Sequence, residues 1–218
     1  MNRTTKRAAT SALLALSLCA VAGCNIASTA AYVLQGPAKV EAQTELDRKR
    51  PTVVFIDDRS SKVPRRSLRV VMGQMAEEEM IARRVIDADK MIAAQSVLRA
   101  AMSEDADEPM SVADLGRAVG AEVVVYVTID AWTLTKNSGS FSPLVAARVK
   151  VIDATERARI WPGEDRGFPL LIEPAASASD VPSSSAERSA AHNELAERAG
   201  RSIAKLFYDS EREGVRER

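Results

Sequence analysis

Thr52-Val53-Val54-Phe55-Ile56, running directly into Asp57-Asp58, is the stretch on which the fold turns. These five apolar or β-branched residues leave no polar face. A strand made of them must be covered on both sides, as in the middle of a sheet flanked by helices. Pro51 marks the entrance to the folded domain. Beyond the strand the period becomes helical. From about Ser67 to Arg84, Leu68, Val71, Met72, Met75 and Ile81 share one side and Glu77-Glu78-Glu79 lie on the exposed side. Arg84-Val85-Ile86 reads as a short strand. Asp87 or Asp89 then caps a second helix carrying Met91, Ala94, Leu98 and Met102, and Ser103 to Pro109 is an acidic loop.

The second half reads as one helix, a hairpin and another helix. Ser111 with Asp114 three residues later is a helix-opening pattern, with Val112, Leu115 and Val119 inward and Gly120 as a left-handed stop. Ala121 to Leu134 is the longest strand, fully buried over Val123–Val127 and alternating afterwards. Lys136 to Ser140 is a turn by composition. Leu144 to Ile152 returns with Val145, Ala147, Val149 and Val151 on one face and Arg148 and Lys150 on the other. Asp153 to Glu156 connects tightly to Arg159-Ile160-Trp161, completing an antiparallel meander. Ser184 and Glu187 open a last helix through about Tyr208, with Leu195, Ala199, Ile203 and Leu206 inward.

The expected fold class is therefore α/β (α+β), a mixed sheet with a long antiparallel C-terminal hairpin, covered by helices. The chain divides into a signal peptide (1–23), a lipid-anchored tether with a short helix in its second half (24–50) and the α/β domain (51–173). A flexible linker (174–184), an amphipathic helix packing on the domain (185–210) and a frayed tail (211–218) follow.

The N-terminus predicts where the chain works. Arg3, Lys6 and Arg7 precede an uncharged run from Ala8 to Cys24, centred on Leu13, Leu14, Leu16 and Leu18 and too short to span a bilayer comfortably. Val21-Ala22-Gly23-Cys24 resembles the lipobox of bacterial lipoproteins. That resemblance implies cleavage before Cys24, which becomes the new N-terminus, and a diacylglyceryl cysteine carrying palmitate. Two or more chains hold a protein to a membrane where one does so only marginally. By similarity to lipoprotein sorting signals, Asn25 rather than Asp after the cysteine implies the outer membrane, facing the periplasm. Cleavage removes three of the 30 basic residues and none of the 30 acidic ones. The mature net charge of about −3 gives no basis for nucleic-acid binding. Cys19 leaves with the signal and Cys24 is acylated, so the mature domain has no thiol for a disulfide, nucleophile or metal. With 46% hydrophobic and only 4% aromatic residues, its core is built from Val, Ile, Leu, Met and Ala.

Candidate chemistry is sparse. Asp57 and Asp58 end a buried strand, the favoured place for a site in an open α/β sheet, and Asp87 and Asp89 offer further oxygen ligands for a hard cation. The plainer reading is turn and helix-cap aspartates. Being adjacent in extended chain, Asp57 and Asp58 point to opposite faces. His192, the only histidine, reads as a surface residue and supports no catalytic triad or histidine metal site. Trp132 and Trp161 are either anchors of a binding face or ordinary packing. Arg65-Arg66 and Arg83-Arg84 read as solvated helix ends. No cofactor is implied.

Two further stretches carry a family resemblance: Leu115-Gly116-Arg117-Ala118-Val119-Gly120-Ala121-Glu122-Val123-Val124, and Val149-Lys150-Val151-Ile152-Asp153 leading to Ile160-Trp161. They resemble a group of bacterial envelope lipoproteins: the CsgG-like curli-secretion proteins, the lipoprotein activators of penicillin-binding proteins, and the N-terminal domain of TolB. The resemblance spans roughly Thr52 to Trp161. The long amphipathic hairpins of the secretion pore are missing, so it implies a small adaptor or assembly domain. The expected function is a membrane-anchored, non-enzymatic module that binds another envelope protein or a copy of itself. The alternative is a carboxylate- or metal-dependent envelope enzyme using Asp57 and Asp58.

Overall fold

A computed structural model describes residues 39–103, 109–137, 140–174 and 181–211. The signal, the lipobox, Cys24 and the residues to 38 lie outside them, as do the tail from 212 and most of the acidic loop and the linker. The chain divides into two units, residues 42–208 and the pair of terminal segments 1–41 with 209–218. In the terminal unit β1 (Lys39–Val40) pairs antiparallel with β8 (Ser210–Glu211).

The larger unit is the predicted α+β fold. Its strands are β2 (Thr52–Asp57), β3 (Met91–Ile92), β4 (Val123–Asn137), β5 (Ser140–Asp153), β6 (Ala158–Trp161) and β7 (Phe168–Ile172). They form one sheet in the order β3-β2-β4-β5-β6, with β7 also on β5. β2 runs parallel to both neighbours, with Thr52 opposite Met91 on one side and Val123 on the other. β4, β5, β6 and β7 are antiparallel. β5 is long enough to pair with β7 along Val145–Val149 and with β6 along Val151–Asp153.

Every residue of β2 is buried, and its side chains alternate between two cores. Val54 and Ile56 join Val125, Val127, Val149 and Val151 under α1 (Arg66–Ala82) and α4 (Ser185–Ala204). Val53 and Phe55 join Val124, Ala154 and Leu115 under α2 (Ala94–Met102) and α3 (Val112–Ala118). Full burial of a side chain of this size is worth about 1.5–3 kcal/mol. α1 buries Leu68, Met72, Ala76 and Met80, a stripe at four-residue spacing. α4 opens with the expected reciprocal capping box, Ser184 accepting from the Glu187 amide and Glu187 from the Ser184 amide.

Three expectations are corrected. Arg84–Ile86 is a helix stop and not a strand. Arg84 takes a left-handed φ of 57°, its amide bonds the Ile81 carbonyl at 3.0 Å, and the Val85 amide reaches Met80 at 2.8 Å. The Val85 amide thus closes the last turn of the helix, and the Val85 and Ile86 side chains join the main core. Gly120 ends α3 by the same geometry, at φ +83°, as expected. Second, Met91 belongs to β3 and α2 starts only at Ala94. No aspartate caps it; Glu77, reaching across from α1, accepts from the Ala94 amide. Burial raises the Glu77 carboxyl against the pull of that bond. Third, residues 42–50 contain no helix. Gln43 and Thr44 donate to the Leu206 carbonyl at 2.8 and 3.3 Å, and Leu46 packs on the main core. Arg50 holds Glu122 at 3.1 Å and Asp153 at 2.9 Å, tying the entry of β2 to the ends of α3 and β5.

α1 and α4 approach closely at Gly200, where a Cβ would overlap the Met72 carbonyl oxygen and stand 2.7 Å from Met75 Cβ. A backbone oxygen within a helix cannot swing aside. Gly200→Ala is expected to lower unfolding stability by about 1–3 kcal/mol in urea titrations, despite alanine's better helix propensity.

Candidate functional site

An open cleft of about 530 Å³ lies at the carboxyl end of β2, lined by residues of that strand, the loop after it, the start of α1 and the end of α2. Its place follows from the topology. The chain leaves β2 through α1 on one face of the sheet and returns to β4 through α2 and α3 on the other, so the two layers part at this edge.

Both aspartates line the cleft. β2 ends at Asp57, and Asp58 already belongs to the loop. Asp58 holds that loop closed. Its Oδ1 accepts from the Lys62 amide at 2.7 Å, its Oδ2 from the Val63 amide at 2.9 Å, and its carbonyl from the Ser61 amide at 3.0 Å. Asp57 Oδ1 accepts from the Arg59 amide at 3.2 Å. Its Oδ2 accepts from the Tyr126 hydroxyl at 2.7 Å and lies 3.5 Å from Arg59 Nε. Burial, then the Asp57 carboxylate, pushes the Tyr126 phenol well above its usual range, so it remains a donor to Asp57.

Asp87 and Asp89 are not part of this cluster. Thr52 is opposite Met91 in a parallel pair, so residues before Met91 lie toward the amino end of β2, away from Asp57. Asp87 binds Arg48 Nε at 2.9 Å, and Asp89 pairs with Lys90 at 3.3 Å. Among the described residues no group of three or more His, Cys, Asp or Glu side chains could hold a metal ion.

The sequence reading missed the cations here. Arg59, Arg66 and Arg69 all line the cleft. Arg69 sits one turn into α1 and donates from Nε to the Ile56 carbonyl at 3.0 Å. Burial pulls its guanidinium down from the ordinary arginine value, while Asp57 and Asp58 oppose that shift. Arg66, expected as a solvated helix end, opens onto the cleft, whereas Arg65 turns to Ser189 Oγ at 2.8 Å. The only available signal was the helical spacing of Arg66 and Arg69 just beyond a strand end.

His192 is half-buried and not a free surface residue: Trp132 Nε1 donates to its Nδ1 at 2.9 Å. Trp161 packs between Phe168 and Phe207, at 5.0 and 6.5 Å between ring centroids.

No known protein family and no curated protein matches the sequence. Solved structures with some likeness include the PelC dodecamer from Paraburkholderia phytofirmans, at 12% identity and a TM-score of 0.41, covering 77% of this chain and 95% of that one. Lipoprotein GNA1162 from Neisseria meningitidis matches at 14% identity and 0.40, covering 66% and 97%. The hypothetical protein CT253 from Chlamydia trachomatis matches at 13% and 0.38, covering 72% and 93%. At that level the likeness assigns neither a family nor a role.

Two measurements check this geometry. Asp58→Ala strips two loop amides of their acceptor and is expected to cost about 1–3 kcal/mol in stability, read by thermal and urea unfolding. The indole can only donate, so His192 must be neutral at Nδ1 to accept from it. Burial and then Arg65 lower its pKa, which makes the neutral state the one that folding favours. Stability should thus be full above the ordinary histidine value of about 6.5 and fall as pH drops through it toward the lower folded value. In Trp161→Phe, emission from Trp132 should change with a midpoint below that ordinary value, and His192→Phe should abolish the transition.

Proposed function

We propose that the chain is an exported envelope lipoprotein, cleaved before Cys24 and held by acyl chains to a membrane, the outer one on its periplasmic face. Its α+β domain acts there as a non-enzymatic module that binds another envelope protein or a copy of itself. The N-terminal basic residues, the apolar run and Val21-Ala22-Gly23-Cys24 support the anchor. No helix among the described residues is long and apolar enough to cross a membrane. The resemblance of residues 115–124 and 149–161 to envelope lipoproteins of adaptor type supports the same reading.

The observation that carries the non-enzymatic part is the use of the two carboxylates. General acid–base work needs a carboxyl group able to meet a substrate proton. Both oxygens of Asp58 are occupied by backbone amides, and both of Asp57 by an amide, a phenol and a guanidinium. They serve as scaffold. The alternative, a carboxylate-dependent enzyme, has in its favour that the two aspartates share a cleft.

The anchor is tested first. Cys24→Ser should abolish incorporation of labelled palmitate and move the chain from the membrane fraction to an uncleaved or soluble form. Intact mass of the wild-type membrane form without acyl mass on Cys24 would overturn the reading. Among binding-site changes, Arg66→Glu should impair function at normal abundance, which a scaffold role for the cleft would not produce.

A further inference from the structure

Two of the three guanidiniums that line the cleft keep donors that the fold does not use. Among the described residues Arg66 makes no hydrogen bond or ion pair, and Arg69 engages only its Nε, leaving both Nη groups uncommitted. Arg69 is half-buried in the cleft, where burial pulls its guanidinium down and Asp57 and Asp58 oppose that shift. The Nη edge of a guanidinium is a planar pair of donors matched to a carboxylate. The nearby aspartates do not consume it, because Asp58 is satisfied by amides and the ion pair of Asp57 is with Arg59.

Beside these charged groups and Ser61, the cleft has an apolar part. Phe55, Val63, Pro64 and Ala101 contribute, and Met102, 63% exposed, offers a flexible apolar side chain that can adapt to a partner. The volume, about 530 Å³, lies in the range of sites for small molecules and short peptide segments.

We propose that this cleft binds an acidic segment of a partner protein, a carboxylate on Arg66 and Arg69 and a neighbouring apolar side chain against Met102 and Pro64. The proposal rests on the protein-binding reading above and names the chemistry of the partner. A free inorganic anion would use the arginines but leave the apolar rim unused. Among the described residues three guanidiniums stand against two carboxylates, a weak field, so charge alone would not hold a ligand. The mature chain is net acidic, so attraction for an acidic partner must come from this patch and not from the overall charge.

The test uses the full lipoprotein purified in neutral detergent and a fluorescein-labelled hexapeptide alternating glutamate and leucine. Its glutamine–leucine counterpart and inorganic phosphate are the comparison arms, and anisotropy is the readout. The acidic peptide should bind, and Arg66→Glu should weaken it at least tenfold. Arg66→Lys, which keeps the charge and loses the fork, should weaken it less. Met102→Ser should weaken it several-fold, and added salt should weaken it throughout. Arg66 is exposed at the first position of its helix, so unchanged circular dichroism melts are expected for both of its variants. Equal binding of the glutamine peptide, or no effect of Arg66→Glu, overturns the proposal. Displacement by phosphate at comparable concentration also overturns it and leaves a small-anion site. Failure on any of these arms leaves the Cys24 readout untouched, so the anchored-module reading is judged separately.

Discussion

The strand Thr52–Asp57 has no side chain that reaches water freely, and the rest of the domain is arranged to make that possible. A strand buried on both faces needs a layer of helices above and below and a hydrogen-bonded neighbour on each edge. α1 and α4 supply one layer, α2 and α3 the other, and β3 and β4 the edges. Parallel neighbours on both sides require the chain to cross over twice, once on each face. The parting of the two layers at the carboxyl end of β2, and so the cleft, is a consequence of burying this one strand.

That origin explains why the cleft holds both kinds of charge. Where a buried strand emerges, the chain must turn, and the turn's amides need acceptors. Asp58 supplies them from within the loop, and Asp57 is satisfied from Tyr126 on the adjoining strand. With the acidic groups committed to the scaffold, Arg66 and the Nη groups of Arg69 are the donors left open to the cleft. The proposed recognition role rests on that division.

Away from the cleft, long-range polar contacts set how the layers sit. Arg50 reaches Glu122 and Asp153 at the opposite end of the sheet, and Glu77 of α1 closes the first turn of α2. Trp132 on the long hairpin meets His192 on α4, so the one histidine joins the hairpin to a helix. Each contact ties segments distant in sequence. None has a local signature.

The amino-acid sequence by itself determined the elements whose signals are local. The run Thr52–Ile56 could only be a two-sided strand. Ser111 and Ser184 with their partners three residues on specified helix starts, and Gly120 specified a left-handed stop. The alternation along Val145–Val151 specified a hairpin face, and the end of the first strand was recognisable as the place for a site. What tertiary structure alone decided was every feature that depends on a distant neighbour. β7, interrupted by Pro169, had no clear strand pattern and is a strand because β5 offers it a free edge. Val85 and Ile86 have strand-like residue types but follow a helix stop and pack into the main core. The gathering of Arg66 and Arg69 beside Asp57 depends on where α1 lies over the sheet, which no spacing along the chain encodes.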